Sequence, residues 1–250
     1  MMNLIESLFR WVHVLAGILW IGLLYFFNFV NSAFAPTMDA ETKKKVVPEL
    51  IPRALYWFRW GAAFTWVTGV LLLMLVYYHT NLVFEGMRAN WGLPAFIMLA
   101  VVFFGVFAYD VLYKTVLADP KTGFVAGLVL VAIVLWLLDS FAGFSFRGYA
   151  IHLGTLFGTI MAFNVWFRIW PSQQKIIAAT KNGTAPDQAL VTLAGTRSKH
   201  NTYLSVPLVF TMISQHATWA AHPIFLTLVV LAGWGIVYHL YDRAKKVQGI

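Results

Sequence analysis

Runs of about 20 mostly apolar residues recur along this 250-residue chain and restrict its possible folds more than any other feature. An α-helix of that length matches the roughly 30 Å hydrocarbon core of a bilayer. Hydrophobic residues make up 60% of the chain and charged residues only 11%, against about 25% charged in soluble domains. A soluble domain of this size has too little interior to hide so much apolar surface. The sequence therefore predicts an all-α, polytopic transmembrane helix bundle.

The apolar runs predict a single membrane domain over residues 1–250 with about seven spans. The first run is too long for a signal-peptide core, so we expect it to be a true span. A polar loop containing Lys43 to Lys45 is expected after it, and Asp187–Ala194 is expected as a short surface helix. The predicted spans cover about 5–30, 54–79, 93–115, 123–140, 148–170, 201–218 and 223–242.

Positive charges are divided unevenly between alternate loops, which predicts the orientation of the chain. One side has only Arg10, Arg88 and Arg147 in or near its predicted loops. On the other side lie Lys43, Lys44, Lys45, Arg53, Lys175, Lys181, Arg197, Lys199, Arg243, Lys245 and Lys246. The positive-inside rule then places the N-terminus outside and the C-terminus inside. We expect a multi-pass protein in contact with membrane lipid.

Composition also excludes several kinds of site. The chain has no cysteine, which rules out disulfides, iron–sulfur ligation, thiolate zinc sites and a CxxCH haem-attachment motif. Its net charge of +8 is explained by membrane topology, so it does not indicate nucleic-acid binding. No Walker motif, dinucleotide fingerprint or nucleophile–base motif is present.

Histidines are concentrated at the predicted outer side of the membrane. Four different spans each bring one there, namely His13, His79, His152 and His216. Histidine is uncommon inside membrane spans and usually has a function when it occurs. This pattern indicates a site. His200, by contrast, lies roughly 24 Å from His216 along the predicted helix, so the two cannot share a ligand.

The residues around these histidines favour haem b, with one or two haems as possibilities. Haem needs imidazole ligands from facing helices and small residues where the macrocycle approaches the backbone. Gly17 follows His13 by one helical turn, and Gly154 and Gly158 follow His152. We expect axial ligands from His13, His152, His216 and His79, in a pairing that the sequence does not fix. Arg10, Arg88 and Arg147 lie on the same side and are candidates for the haem propionates.

The same histidines are also compatible with a bare metal ion or with a purely interfacial role. Zinc or copper would want three or four close ligands, often including carboxylates, and the outer side offers few acidic residues. Each histidine alone is also compatible with a polar residue at the membrane interface, and His79 beside Tyr77 and Tyr78 is the clearest example.

Several polar residues inside the spans predict helix contacts instead of catalysis. Asn28 and Asn164 are expected to form interhelical hydrogen bonds. Asp110 and Lys114 are spaced for a local ion pair, and Arg59 is expected to extend toward the interface beside Trp57 and Trp60. None of these residues requires a catalytic role.

Three motifs resemble those of the bacterial membrane-bound urate oxidase family, in its membrane domain. They read RWVHVLAGILWIGLLYFFNFVN over residues 10–31, WFRWG over 57–61 and SKHNTYLSVP over 198–207. The resemblance implies oxidation of urate toward 5-hydroxyisourate, with electrons passed to cytochrome c and not to oxygen. In that family one more span and a periplasmic cytochrome c domain normally follow. This chain has no CxxCH, so the resemblance implies a separate periplasmic cytochrome c as partner.

The function that follows is a membrane haem b oxidoreductase with urate as the implied substrate, attracted by Arg88 or Arg147. One alternative is a non-catalytic haem subunit that passes electrons within a respiratory complex. Another is a cofactor-free transporter or structural membrane protein, which matching broken helices in two halves would favour. Only Pro207 interrupts a predicted span, so the transporter is the weaker alternative. The oligomeric state is left open.

Overall fold

The computed structural model describes residues 2–84 and 91–247, and in these ranges the chain is helical without β-strands. Nine α-helices follow one another within the described residues. They are α1 (Met2–Tyr25), α2 (Ser32–Phe34), α3 (Ala40–Leu72), α4 (Leu93–Leu112), α5 (Pro120–Trp136), α6 (Phe146–Asn164), α7 (Trp170–Lys181), α8 (Gln188–Ile213) and α9 (Pro223–Ala244).

Six continuous helical stretches of the described chain are long and apolar enough to cross a membrane. They confirm the predicted multi-pass helical fold and lie close to six of the seven predicted spans. The stretches are Met2–Thr37, Ala40–Tyr78, Leu93–Leu112, Pro120–Phe141, Phe146–Lys181 and Pro223–Ala244. Many large apolar side chains on them are exposed, as in a protein whose outer surface meets lipid.

Two predicted boundaries were wrong. The expected polar loop at Lys43 to Lys45 is helical, because α3 already begins at Ala40, where the carboxylate of Asp39 accepts a hydrogen bond from the backbone N–H of Thr42 at 2.8 Å. The sixth span was expected to begin near residue 201, but α8 begins at Gln188. The surface helix predicted at Asp187–Ala194 is the first part of this longer helix. Hydropathy marks where a helix becomes apolar, whereas hydrogen bonds decide where it begins.

Four π-helical segments interrupt or end these helices within the described ranges. They are π1 (Phe26–Asn31), π2 (Leu73–Tyr78), π3 (Leu137–Phe141) and π4 (Val165–Ile169). A π turn contains one extra residue, so it changes the direction in which the following side chains point, and such turns are frequent at functional sites. Asn28, Tyr78 and Trp166 lie in three of these segments, and each forms a hydrogen bond to a residue distant in sequence.

The described chain packs into two compact units. The first unit comprises Met1–Gly69, Met161–Leu204 and Ile236–Ile250. Within it α1 and α3 approach closely at Gly61, where an added Cβ would lie only 3.2 Å from the backbone N of Trp20. Trp20, Leu24 and Phe58 are buried there. Small residues thus allow the two helices to pack backbone to backbone.

The second unit comprises Val70–Ile160 and Ser205–Gly235. Its most buried helix segment is the N-terminal part of α6, where His152, Leu153 and Phe157 are shielded from solvent. Gly154 and Gly158 face α8: an added Cβ on Gly154 would collide with Oγ1 of Thr211, and one on Gly158 would lie 3.5 Å from Leu208. The predicted small-residue row on α6 is therefore a helix-packing surface.

Candidate functional site

His13 lies half-buried in the middle of α1, against α3 of the same unit. Its Nδ1 is 3.2 Å from Oγ1 of Thr68. The Thr68 hydroxyl donates its own proton to the carbonyl of Phe64 at 2.6 Å, so it accepts from the imidazole. His13 therefore carries its proton on Nδ1, and Nε2 keeps a lone pair.

The position of the His13 ring depends on a glycine. An added Cβ at Gly69 would lie 2.9 Å from Cε1 and 3.4 Å from Nδ1 of His13. Any other residue at this place would push the ring aside, because real Cβ atoms do not approach other atoms so closely. Thr68 and Gly69 together fix both the tautomer and the location of the imidazole.

His152 is fully buried near the start of α6, in the second unit. Its Nδ1 donates to the carbonyl of Gly148 at 2.6 Å, which leaves Nε2 as an acceptor. The Tyr78 hydroxyl donates to that Nε2 at 3.0 Å, and the two rings stack with centroids 5.7 Å apart. Phe144 covers the imidazole at a centroid distance of 4.7 Å. Both ring nitrogens of His152 are thus engaged inside the protein.

The other predicted ligands lie at exposed helix ends. His79 follows π2, and His216 lies in the turn after α8, which ends at Ile213. Both side chains are exposed. His79, His152 and His216 belong to the second unit and His13 to the first. No contact in the described chain tests how these four histidines pair, so the ligand set stays a prediction.

The other residues predicted to bind the cofactor or the substrate lie mostly at the protein surface. Arg10 is exposed and pairs with Glu6 on the same helix at 2.7 Å. Arg147 is exposed at the start of α6. Gly17 faces α3, where an added Cβ would meet Thr65 at 3.8 Å. Arg88 lies outside the described residues. Their roles toward a cofactor or substrate stay predictions.

A conventional multi-ligand metal centre is not found in the described part of the chain. No three histidine, cysteine, aspartate or glutamate side chains lie close enough there to hold one ion. Haem makes a different demand, because the porphyrin supplies four ligands and the protein needs to add one or two imidazoles. A metal-bound histidine usually donates its other N–H to an oxygen acceptor. His13 fits this requirement, because its Nδ1–H is on Thr68 and Nε2 keeps its lone pair.

The polar face of α8 was underestimated from the sequence. Arg197 was expected to be a charge at the membrane surface, yet only 1% of it is exposed. Asn201, Thr202 and Ser205 are buried on the same helix. A buried guanidinium is costly in a membrane protein and is kept where it has a role. The spacing of 197, 201 and 205 along one helical face was the available signal.

The predicted amide contacts are confirmed. Asn28 donates to Oγ of Ser198 at 2.7 Å and accepts from the Tyr241 hydroxyl at 2.8 Å. Asn164 donates to the side chain of Asn201 at 2.9 Å. Both asparagines therefore join their own segments to α8 within the first unit.

The two predicted cation contacts gave different outcomes. Lys114 pairs with Asp110 at 2.7 Å, as expected. Arg59 was expected beside Trp57 and Trp60, but its guanidinium lies 3.5 Å from the ring centre of Trp170. A cation–π contact of this kind accounts for an arginine inside an apolar helix.

The motif SKHNTYLSVP lies within α8 and contributes to its buried polar face. The family model described as urate oxidase N-terminal matches residues 37–249. The chain belongs to the urate oxidase N-terminal family. No curated protein and no solved structure matches this chain. The matched region of this family member includes His79, His152, His200 and His216, and begins after the α1 segment that carries His13.

Proposed function

We propose that this urate oxidase family member is a membrane oxidoreductase that oxidises urate toward 5-hydroxyisourate and passes the electrons to a separate periplasmic cytochrome c. The observation that supports the proposal most is the family match over residues 37–249. Six helical stretches suited to a bilayer support a location in a membrane, and the proposed membrane is the bacterial inner membrane. The reaction takes urate and water to 5-hydroxyisourate with release of two protons and two electrons. Two ferricytochrome c molecules accept the electrons.

The proposed cofactor is haem b, which when bound supplies one-electron transfer between donor and acceptor. His13 is held in the tautomer that iron requires, with the lone pair on Nε2. His79, His152 and His216 are the other predicted ligands. Arg10 is the candidate partner of a propionate, although its present partner is Glu6. The protein's contribution is to orient the imidazole and to exclude water from its buried side.

The substrate is an anion at neutral pH, and the exposed guanidinium of Arg147 is suited to attract it. Charge attraction of this kind raises the association rate and falls with ionic strength. Arg147 would therefore act on the approach of urate and not on the chemical step.

The first prediction is that urate reduces haem in the purified protein without added oxidase. Absorbance spectra before and after urate addition measure this, and added ferricytochrome c should then be reduced at two equivalents per urate. A structural analogue without an oxidisable purine system, such as uracil, is the control. A haem-containing protein that urate leaves oxidised would contradict the enzyme and favour the non-catalytic electron-transfer subunit. Protein without haem would contradict the cofactor.

A further inference from the structure

We propose that His13, and not His152, ligates the haem iron, that Thr68 and Gly69 position His13, and that Tyr78 keeps His152 away from iron. This assignment rests on the proposed function because it presupposes a bound haem. It goes further by choosing between histidines that the sequence alone treats as equivalent. The choice depends on what each Nε2 contacts.

The hydrogen bonds of His13 fix the tautomer of its ring. Thr68 donates to the Phe64 carbonyl at 2.6 Å, so its oxygen accepts from Nδ1 of His13 at 3.2 Å. This hydrogen bond uses Nδ1, the backbone carbonyl of Thr65 is a second acceptor for the His13 ring, and no hydrogen bond at Nε2 is found among the described residues. An oxygen acceptor on the far nitrogen is the usual partner of a metal-bound histidine, since it fixes the tautomer and makes the imidazole a stronger donor.

Gly69 leaves the space that the His13 ring occupies. The imidazole of His13 lies directly over Gly69, with Cε1 2.9 Å from where a Cβ would be. Gly69 lies in the interior of α3, where glycine costs roughly 1 kcal/mol in helix propensity relative to alanine. The close approach of a single ring to this glycine explains why the residue occurs here.

His152 has the same tautomer as His13, but both of its ring nitrogens have hydrogen-bond partners. Nδ1 is on the Gly148 carbonyl at 2.6 Å, and Nε2 accepts from Tyr78 at 3.0 Å. Iron at Nε2 would have to displace the Tyr78 hydroxyl and leave it without this partner. It would also have to open the stack of Tyr78 and Phe144 around a fully buried ring. Both ring nitrogens of His152 are therefore occupied, and its hydrogen bond with Tyr78 holds π2 against α6.

The main experiment compares His13→Gln with His152→Gln in full-length protein purified in mild detergent. Pyridine haemochrome analysis gives haem per chain, and reduced-minus-oxidised spectra report the ligand field. We expect the haem content per chain of His13→Gln to fall at least about 10-fold, because loss of a ligand costs at least as much as loss of the ligand's hydrogen-bond partner. His152→Gln should retain haem and an unchanged α-band, because a glutamine oxygen can still accept from Tyr78. Size-exclusion profiles confirm that both variants are folded.

A second pair of variants tests Thr68 without removing a ligand. Thr68→Val keeps the shape and removes the hydroxyl acceptor, while the Thr65 backbone carbonyl remains near the His13 ring, and Thr68→Ser restores the hydroxyl. We expect Thr68→Val to lower haem affinity by about 10- to 100-fold in a haemin titration of the apoprotein, with Thr68→Ser near the wild type. The midpoint potential of haem retained by Thr68→Val should rise, since a less electron-rich imidazole stabilises ferric iron less. A merely structural role of Thr68 would leave the potential unchanged.

Gly69→Ala gives an independent test of ring position. The added methyl group would displace His13, so haem content should fall as in His13→Gln. Gly22→Ala is the matched control, because a Cβ there meets nothing within 4 Å. Equal haem content in Gly69→Ala and Gly22→Ala would contradict the positioning role of Gly69.

The outcomes separate the assignment from the proposed function. Wild-type protein without haem contradicts the cofactor itself, and the assignment falls with it. Wild-type protein with haem that His13→Gln retains contradicts the assignment alone. Loss of haem in His152→Gln but not in His13→Gln reverses the roles of the two histidines. Should His13→Gln fail to fold, the Thr68→Val and Thr68→Ser pair decides.

Discussion

At the scale of single residues, tertiary packing supplies hydrogen-bond partners for four polar side chains in the helical segments, namely Asn28, Asn164, Thr68 and Tyr78. Asn28 and Asn164 were expected to bond across helices, and they do. Thr68 and Tyr78 carry no such signal. A threonine in a helix usually bonds its own backbone, and a tyrosine near a helix end is typical of the interfacial belt. Their contacts with His13 and His152 arise from tertiary packing, which one sequence does not specify.

Gly154 lies against Thr211 of α8, and the side chain of Thr211 is held in place by a hydrogen bond. The Thr211 hydroxyl donates to the Leu208 carbonyl at 2.7 Å, so this side chain does not rotate freely away from a new methyl group. We expect Gly154→Ala to destabilise the protein by about 1–3 kcal/mol through overpacking. Unfolding in mixed micelles at increasing SDS fraction, followed by circular dichroism, measures the change.

Gly235→Ala is the matched control for that substitution. Gly235 lies in α9, and a Cβ there meets nothing within 4 Å. Its stability should be unchanged or up to about 1 kcal/mol higher, from better helix propensity. Equal effects of the two substitutions would show that α6 and α8 are not packed closely at Gly154.

At the scale of elements, apolar runs located most of the membrane helices but not their ends. Predicted span 93–115 corresponds to α4 at Leu93–Leu112, since there the apolar run and the helix nearly coincide. The starts of α3 and α8 were missed because both helices begin in polar sequence. The π segments were also unpredictable, because an extra residue in a helical turn leaves no pattern in hydropathy. Nevertheless, π2 contains Tyr78, which forms the hydrogen bond to His152.

The start of α5 gives a prediction about pH. Asp119 precedes the helix, and its carboxylate accepts from the backbone N–H of Thr122 at 2.8 Å. This hydrogen bond, with a second one from the Thr122 hydroxyl, lowers the pKa of Asp119 below its usual range. A carboxyl whose folded-state pKa is depressed stabilises the fold above its unfolded pKa of about 3.9. That contribution is lost as the pH falls through the folded-state pKa.

Asp119→Asn should remove this pH dependence while keeping a capping oxygen. We expect the stability difference between wild type and Asp119→Asn to be constant from about pH 5 to 7, and to shift in favour of the variant below about pH 4. SDS unfolding at each pH measures the difference. Parallel curves down to about pH 3 would mean that the capping hydrogen bond does not distinguish the charged from the neutral carboxyl.

At the scale of the whole molecule, hydropathy predicted a multi-pass membrane protein and slightly misjudged how it is built. Six stretches of the described chain are apolar enough to span, and α8 is not among them. The reason is its polar face, with Arg197 and Asn201 inside the protein. A helix shielded by its neighbours does not need to be apolar all round. Scoring each helix alone therefore misses the one whose polarity the others cover.

We predict from its length that α8 crosses the membrane as a seventh span. Its 26 residues extend roughly 39 Å at 1.5 Å per residue, more than the roughly 30 Å hydrocarbon core. Seven crossings place the two ends of the chain on opposite sides, as the distribution of positive charges requires. Six crossings would leave them on the same side. The position of α8 thus decides the topology.

Cysteine labelling tests this directly, because the chain has no cysteine of its own. Ala185 and Ala221 are exposed residues that flank α8. In intact bacterial spheroplasts, Ala221→Cys should react with a membrane-impermeant maleimide, and Ala185→Cys only after the membrane is opened. Labelling of both from the same side would mean that α8 does not cross. The reverse pattern would keep the crossing but invert the orientation, and it would move His79 and His216 to the cytoplasmic face, away from a periplasmic cytochrome c.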